Sequence, residues 1–289
     1  MRNVKPFVDC SDILEDPAAQ HSRAAEIGYL YFPELLRPDE VLPVRREVLQ
    51  VANRHGLLRA GIGPNDAIRK EGVYVDLEYE RPVPPAHKRF YTDILGLRGF
   101  NAFPHNATVM GLLTSFLGEP TFVHPRHICH ILFPGRFEHT TEPHQDFRPV
   151  RGTKETWTVW IPLGDCDSDL GGVTVAAGSN RLGYLDDKLI TSGELLNDET
   201  EWHWNPFSCG DVLMFNSLTI HQGRDNVTAD TIRLSTSARY QAVSEPVDAL
   251  ALRPHFGWAE WENLYKDWDQ DDPLKYYWES LDLNIRTYA

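Results

Sequence analysis

Between residues 121 and 241 the chain breaks into short runs that are alternating or wholly apolar, cut apart by Gly, Pro and Asp. No other feature narrows the fold as far. The runs are HICHILF (127–133), TWTVWIPL (156–163), GVTVAA (172–177), DVLMF (211–215) and TIRLSTSARYQ (231–241). Successive short runs with turn residues between them form strands, and a series of them builds a sandwich or a jelly-roll barrel. In the last run, alternation puts Ile232, Leu234, Thr236, Ala238 and Tyr240 on one face. Arg233, Ser235, Ser237 and Arg239 fall on the other.

The flanks read differently. RPDEVLPVRREVLQVANRHG carries Val41, Val44, Val48 and Val51 at helical spacing, with acidic residues in its first turn and Gly56 beyond its end. GYLYFPELL just before it reads as a short strand, and NATVMGLLTSFLGEP as a second helix closed by Gly118 and Pro120. From residue 246 the chain turns aromatic and acidic. Trp258, Trp261, Tyr265 and Trp268 recur at helical spacing and predict the buried stripe of a helix packed on the barrel. The expected architecture is mainly β with flanking α-helices, in one domain spanning 1–289. It has a helical part to about 120, a jelly-roll core over about 121–245, and an aromatic extension over 246–289. The loop-rich polar segments 60–100 and 184–205 are expected to cover its pocket.

Charge excludes some partners. Acidic residues number 42 against 28 basic ones, a net −14. Such a surface repels phosphate backbones and anionic lipids, so neither nucleic acid nor membrane is expected, and the charge says nothing more about the substrate. Cys10, Cys129, Cys166 and Cys209 are scattered without a CxxC pair, which reads as free thiols in a reducing compartment. No window has the apolar length of a signal peptide or a bilayer span, so a cytoplasmic location is expected.

The stretch TTEPHQDFRPVRG sets His144 and Asp146 two residues apart, on one side of an extended segment. They either decorate a loop or supply two ligands of a metal. A ferrous ion held by two imidazoles and one carboxylate keeps three positions open for oxygen chemistry. His221, at the end of the apolar strand in GDVLMFNSLTIHQGRDN, is the candidate third ligand. Arg233 sits in a buried strand, where a guanidinium either binds an anion or belongs to a structural ion pair. Ser235, two residues on, can add a hydroxyl to the same carboxylate. HPRHICH supplies His124, His127 and His130; zinc would need closer convergence than this strand allows, so some of them are expected to line a pocket.

Taken in order, His144-x-Asp146, TVWIPLGDCDSDLGGVTVAAGSN, CGDVLMFNSLTIH and Arg233 resemble the phytanoyl-CoA dioxygenase-like family, and GYLYFPELLRPDEV is similar to that family's opening. The resemblance spans roughly residues 26–242. It implies a double-stranded β-helix (a cupin-like jelly roll) and an oxygenase using iron(II), 2-oxoglutarate and dioxygen. It also implies His144, Asp146 and His221 as iron ligands, Arg233 on the distal carboxylate of 2-oxoglutarate, and Trp160 near that cosubstrate. Hydroxylation of an unactivated C–H bond, with release of succinate and carbon dioxide, is the default reaction. Asp146 argues against halogenation, since related halogenating enzymes have a small residue there. AAGSN departs from the frequent Pro-Gly-Ser-His, with Asn180 in the histidine's place. Other readings are a catalytically silent small-molecule-binding jelly roll, and a cupin-like metal oxygenase that does not use 2-oxoglutarate.

Overall fold

A computed structural model of the chain describes residues 3–77, 82–192 and 195–288. Its strands are β1 (Val4–Lys5), β2 (Tyr29–Phe32), β3 (Thr121–Val123), β4 (Ile128–Leu132), β5 (Trp157–Pro162) and β6 (Gly172–Ala176). They continue with β7 (Trp202–His203), β8 (Val212–Asn216), β9 (His221–Arg224), β10 (Arg233–Ala242), β11 (Val247–Asp248) and β12 (Ile285–Arg286). The larger sheet runs β2-β8-β5-β10, and the far side of β10 pairs with β4 along its first half and β3 along its second. The smaller sheet runs β1-β7-β6-β9. β11 and β12 form a separate parallel pair.

Period-two alternation sorts the side chains of the larger sheet into two cores. Tyr29, Tyr31, Trp160, Leu213 and Phe215 meet Val173 and Val175 of the smaller sheet. Leu30, Phe32, Val159, Ile161, Val212, Met214, Leu234, Ala238 and Tyr240 face the other way, into the layer of helices. All ten residues of β10 are buried, because both faces of that strand are covered. Arg233, Ser237 and Arg239 look toward the cavity between the sheets, as the alternation requires.

The longer helices are α1 (Pro17–Ile27), α2 (Pro38–Arg54) and α3 (Pro85–Leu95), followed by Ala107–Leu117. α2 starts with Pro38 in its first turn, while the Glu40 carboxylate accepts from the Arg37 amide at 3.0 Å. Its valine stripe Val41, Val44, Val48 and Val51 is buried, each side chain contributing roughly 1.5–3 kcal/mol on leaving water. No helix among the described residues is long and apolar enough to cross a membrane.

One turn depends on glycine. Gly210 precedes β8 with φ +107°, and a Cβ built there would lie 2.1 Å from the Leu36 carbonyl oxygen. Gly210→Ala is expected to destabilise the fold by at least about 2 kcal/mol, from left-handed strain together with the clash. The urea midpoint checks this: an unchanged midpoint would show that the turn relaxes freely.

The aromatic stripe departs from its helical expectation. Only Trp261–Leu264 is α-helical, and Phe256 before it has φ 63°. Beyond Tyr265 the run KDWDQDDPLK crowds aspartates and Pro273 together, which helix interiors disfavour. The rings still pack as core. Trp261 stacks on Tyr265 with centroids 5.2 Å apart, Tyr265 meets Trp268 at 4.5 Å, and Trp268 Nε1 donates to the Gly96 carbonyl at 2.7 Å.

Candidate active site

His144 and His221 are brought face to face by their backbones. Each amide donates to the other residue's carbonyl, at 3.0 and 3.1 Å. This reciprocal pair extends the smaller sheet by one rung past β9, where His221 lies opposite Val175 of β6. Asp146 follows at the entry of the short helix Phe147–Val150, where the Phe147 amide donates to the Ser217 carbonyl at 2.9 Å. One ligand-type atom from each of His144, Asp146 and His221 lies within 4.8 Å of the others.

Hydrogen bonds fix which atoms converge. Nδ1 of His144 donates to the Glu142 carbonyl at 2.8 Å, and Nδ1 of His221 to the Thr219 carbonyl at 3.0 Å. A carbonyl only accepts, so both rings donate through Nδ1 and turn Nε2 inward. The two Nε2 atoms stand 3.7 and 3.9 Å from Oδ1 of Asp146. That is too long for hydrogen bonds and leaves room for a cation among the three atoms. Burial, reinforced by His144, pushes the His221 imidazole down to about 3, which keeps it neutral. Burial alone would raise the Asp146 carboxyl; Arg239, His221, His144 and the Thr158 hydroxyl overcome it and hold the group well below the usual carboxylate range.

The centre opens into a cavity of about 450 Å³ between the sheets, within the size range of small-molecule sites. Arg233, Trp160, His124 and His130 line it. Arg233 is 8 % exposed; its Nη1 donates to the Gly172 carbonyl at 2.5 Å and its Nε has no partner. Trp160 packs against Phe207, with centroids 4.6 Å apart. Ser235 shares the face of Arg233 with its hydroxyl fully buried and unpartnered, but it is Ser237 that reaches the cavity wall. His130 bonds the Ser237 hydroxyl at 2.9 Å and His124 bonds the Gln241 side chain at 2.7 Å, while His127 packs away from the cavity beside Phe100 and His105. The HPRHICH histidines are therefore divided between cavity wall and core.

The cover differs from the expected one. Val75, Leu77 and Tyr91 come from segment 60–100, whose residues 78–81 lie outside the described ones. Among the described residues none of 184–205 lines the cavity; the C-terminal extension supplies Ala251, His255 and Phe256 instead. Arg239 and Thr158, which hold Asp146, also escaped the sequence reading. Arg239 carried a signal, since it shares the Arg233 face of its strand.

The model of the family described as Phytanoyl-CoA dioxygenase (PhyH) matches residues 25–235. The 1-deoxypentalenic acid 11-beta-hydroxylase of Streptomyces exfoliatus is 26% identical over 267 residues, covering 86% of this chain and 89% of that protein. The protein of the same name from Streptomyces arenae is 26% identical over 270 residues, with the same coverage. Among solved structures, the non-heme alpha ketoglutarate dependent epimerase SnoN from nogalamycin biosynthesis aligns with a TM-score of 0.57 at 22% identity, over 80% of this chain and 83% of its own. EctD from S. alaskensis aligns with a TM-score of 0.55 at 16% identity, over 86% and 83%. At such identities these structures bear on the fold, a jelly roll, and not on the substrate.

Proposed function

The chain belongs to the phytanoyl-CoA dioxygenase family, and from that membership we propose an iron(II)- and 2-oxoglutarate-dependent dioxygenase that hydroxylates an unactivated C–H bond of a small-molecule substrate. The observation that carries this reading is the convergence of two histidine Nε2 atoms and one carboxylate oxygen on the wall of the cavity. Two neutral imidazoles and a carboxylate on one face suit iron(II) and leave its remaining positions free. In this reading His144, Asp146 and His221 are the ligands, each histidine steadied by a backbone carbonyl behind it.

The fit to 2-oxoglutarate rests on the guanidinium of Arg233, which lines the cavity with its Nε orphaned. Arg233 Nε and Ser235 Oγ are buried on the same strand face without partners, and an unmatched buried donor is expensive. A carboxylate end of the cosubstrate would satisfy the planar guanidinium, which lines the cavity, whereas Ser235 lies behind the wall. Trp160 forms the adjoining wall. When bound, iron(II), 2-oxoglutarate and dioxygen supply the oxidation, in which the oxo acid becomes succinate and carbon dioxide and the substrate C–H gains a hydroxyl. The protein's own contribution is to hold what reacts. Val75, Leu77, Ile128, Val150 and Phe256 give the substrate an apolar wall. Hydroxylation is proposed over epimerisation because the two Streptomyces relatives, matched along most of their length, are named as hydroxylases.

Under air, purified protein with iron(II) is expected to convert 2-oxoglutarate to succinate, and a chelator is expected to stop the conversion. Iron-dependent oxygen uptake that is indifferent to 2-oxoglutarate would overturn the assignment.

A further inference from the structure

We propose that Arg239 is a positioning residue which, with Thr158 across the sheet, locks the Asp146 carboxylate so that only Oδ1 faces the metal position; this rests on the iron reading above. Arg239 and Thr158 are directly opposed on β10 and β5, so their side chains rise from the same face a few ångströms apart. Each takes one oxygen of the same carboxylate. Arg239 Nη2 donates to Oδ1 at 2.9 Å, and Thr158 Oγ1 donates to Oδ2 at 2.5 Å. Asp146 is 1 % exposed, so water does not compete for either oxygen.

Neutralising a buried carboxylate would need only one cation, placed anywhere nearby. The arrangement goes further. The two donors grip opposite ends of the carboxylate and block its rotation about Cβ–Cγ. Both histidine Nε2 atoms face Oδ1, whereas Oδ2 is turned to Thr158. The carboxylate is thereby confined to coordination through one oxygen. A second oxygen swinging onto the metal would occupy a position that 2-oxoglutarate needs in order to chelate. Arg239 also spans the two roles of its strand, sharing a face with Arg233 while being bound to the opposite end of the site.

Cobalt(II) replaces iron for the test, because its visible ligand-field bands report coordination number without turnover. In the wild type, adding 2-oxoglutarate under anaerobic conditions is expected to change these bands; no change there would sink the cosubstrate reading itself and not the role of Arg239 alone. In Arg239→Ala, cobalt is expected to give an altered spectrum before 2-oxoglutarate is added, and 2-oxoglutarate is expected to bind roughly 10- to 100-fold more weakly. Arg239→Lys, which keeps a cationic donor, should recover most of that loss, and Thr158→Val should fall between. If Arg239→Ala melts early, the polar but shorter and uncharged Arg239→Gln carries the same comparison. A wild-type cobalt spectrum and wild-type 2-oxoglutarate affinity in a folded Arg239 variant would overturn the proposal.

Discussion

His221→Ala is expected to lower succinate formation from 2-oxoglutarate by at least roughly 1000-fold, equivalent to about 4 kcal/mol of lost transition-state stabilisation. The residue closes the proposed ligand set from a different part of the chain than His144 and Asp146, so its loss leaves two donors where three are needed. His221 is also the cleanest of the three to change. It is neutral where it lies, and its removal strands no charge. Asp146→Ala would remove the carboxylate that Arg239 and Thr158 hold, and an orphaned buried guanidinium costs about 3–5 kcal/mol of stability. Lost activity in that variant would mix catalysis with folding. Measured by succinate release with a parallel thermal melt, near-wild-type turnover in a folded His221→Ala protein would remove the metal-centre assignment.

Arg233→Ala is expected to raise the concentration of 2-oxoglutarate needed for half-maximal turnover by roughly 100-fold, while the rate at saturation falls much less. Truncating one member of a buried, hydrogen-bonded charge pair costs about 2–5 kcal/mol, and each 1.4 kcal/mol is about tenfold in affinity. The effect should fall on binding because the guanidinium would touch the end of the cosubstrate away from the metal. Arg233→Lys should recover only part of the affinity, since an ammonium offers no planar fork. A half-saturation value unchanged from the wild type would return Arg233 to a structural role, bonded only to the Gly172 carbonyl.

How much of this was legible beforehand follows from what alternation and spacing encode. The β-runs and the α2 stripe were readable because burial imposes a period, and both appear where the spacing set them. The same alternation placed Arg233 and Arg239 on one face without saying what either touches. A partner across a sheet depends on register between distant strands, and nothing local to β10 names Thr158 or Asp146. The question that finds Arg239 is what neutralises a carboxylate expected to be buried. The error at Trp258–Trp268 has the opposite origin. Aromatic spacing imitated a helix, while the aspartates and Pro273 that follow forbid one. His255 and Phe256 were missed because reaching the cavity requires the extension to fold back past α3, where the Tyr91 hydroxyl meets Nδ1 of His255 at 2.7 Å. Long-range closure of that kind leaves no periodic trace.

The division of labour along the cavity bears on redesign. The proposed reactive end is built from strands, with β10 contributing Arg233, Ser237 and Arg239 along its pairings with β4 and β5. Another part of the wall comes from Val75, Leu77, Ala251 and Phe256, on stretches outside both barrel sheets. A library aimed at new substrates can therefore randomise that part of the wall and leave the proposed reactive end untouched, because the two share no strand.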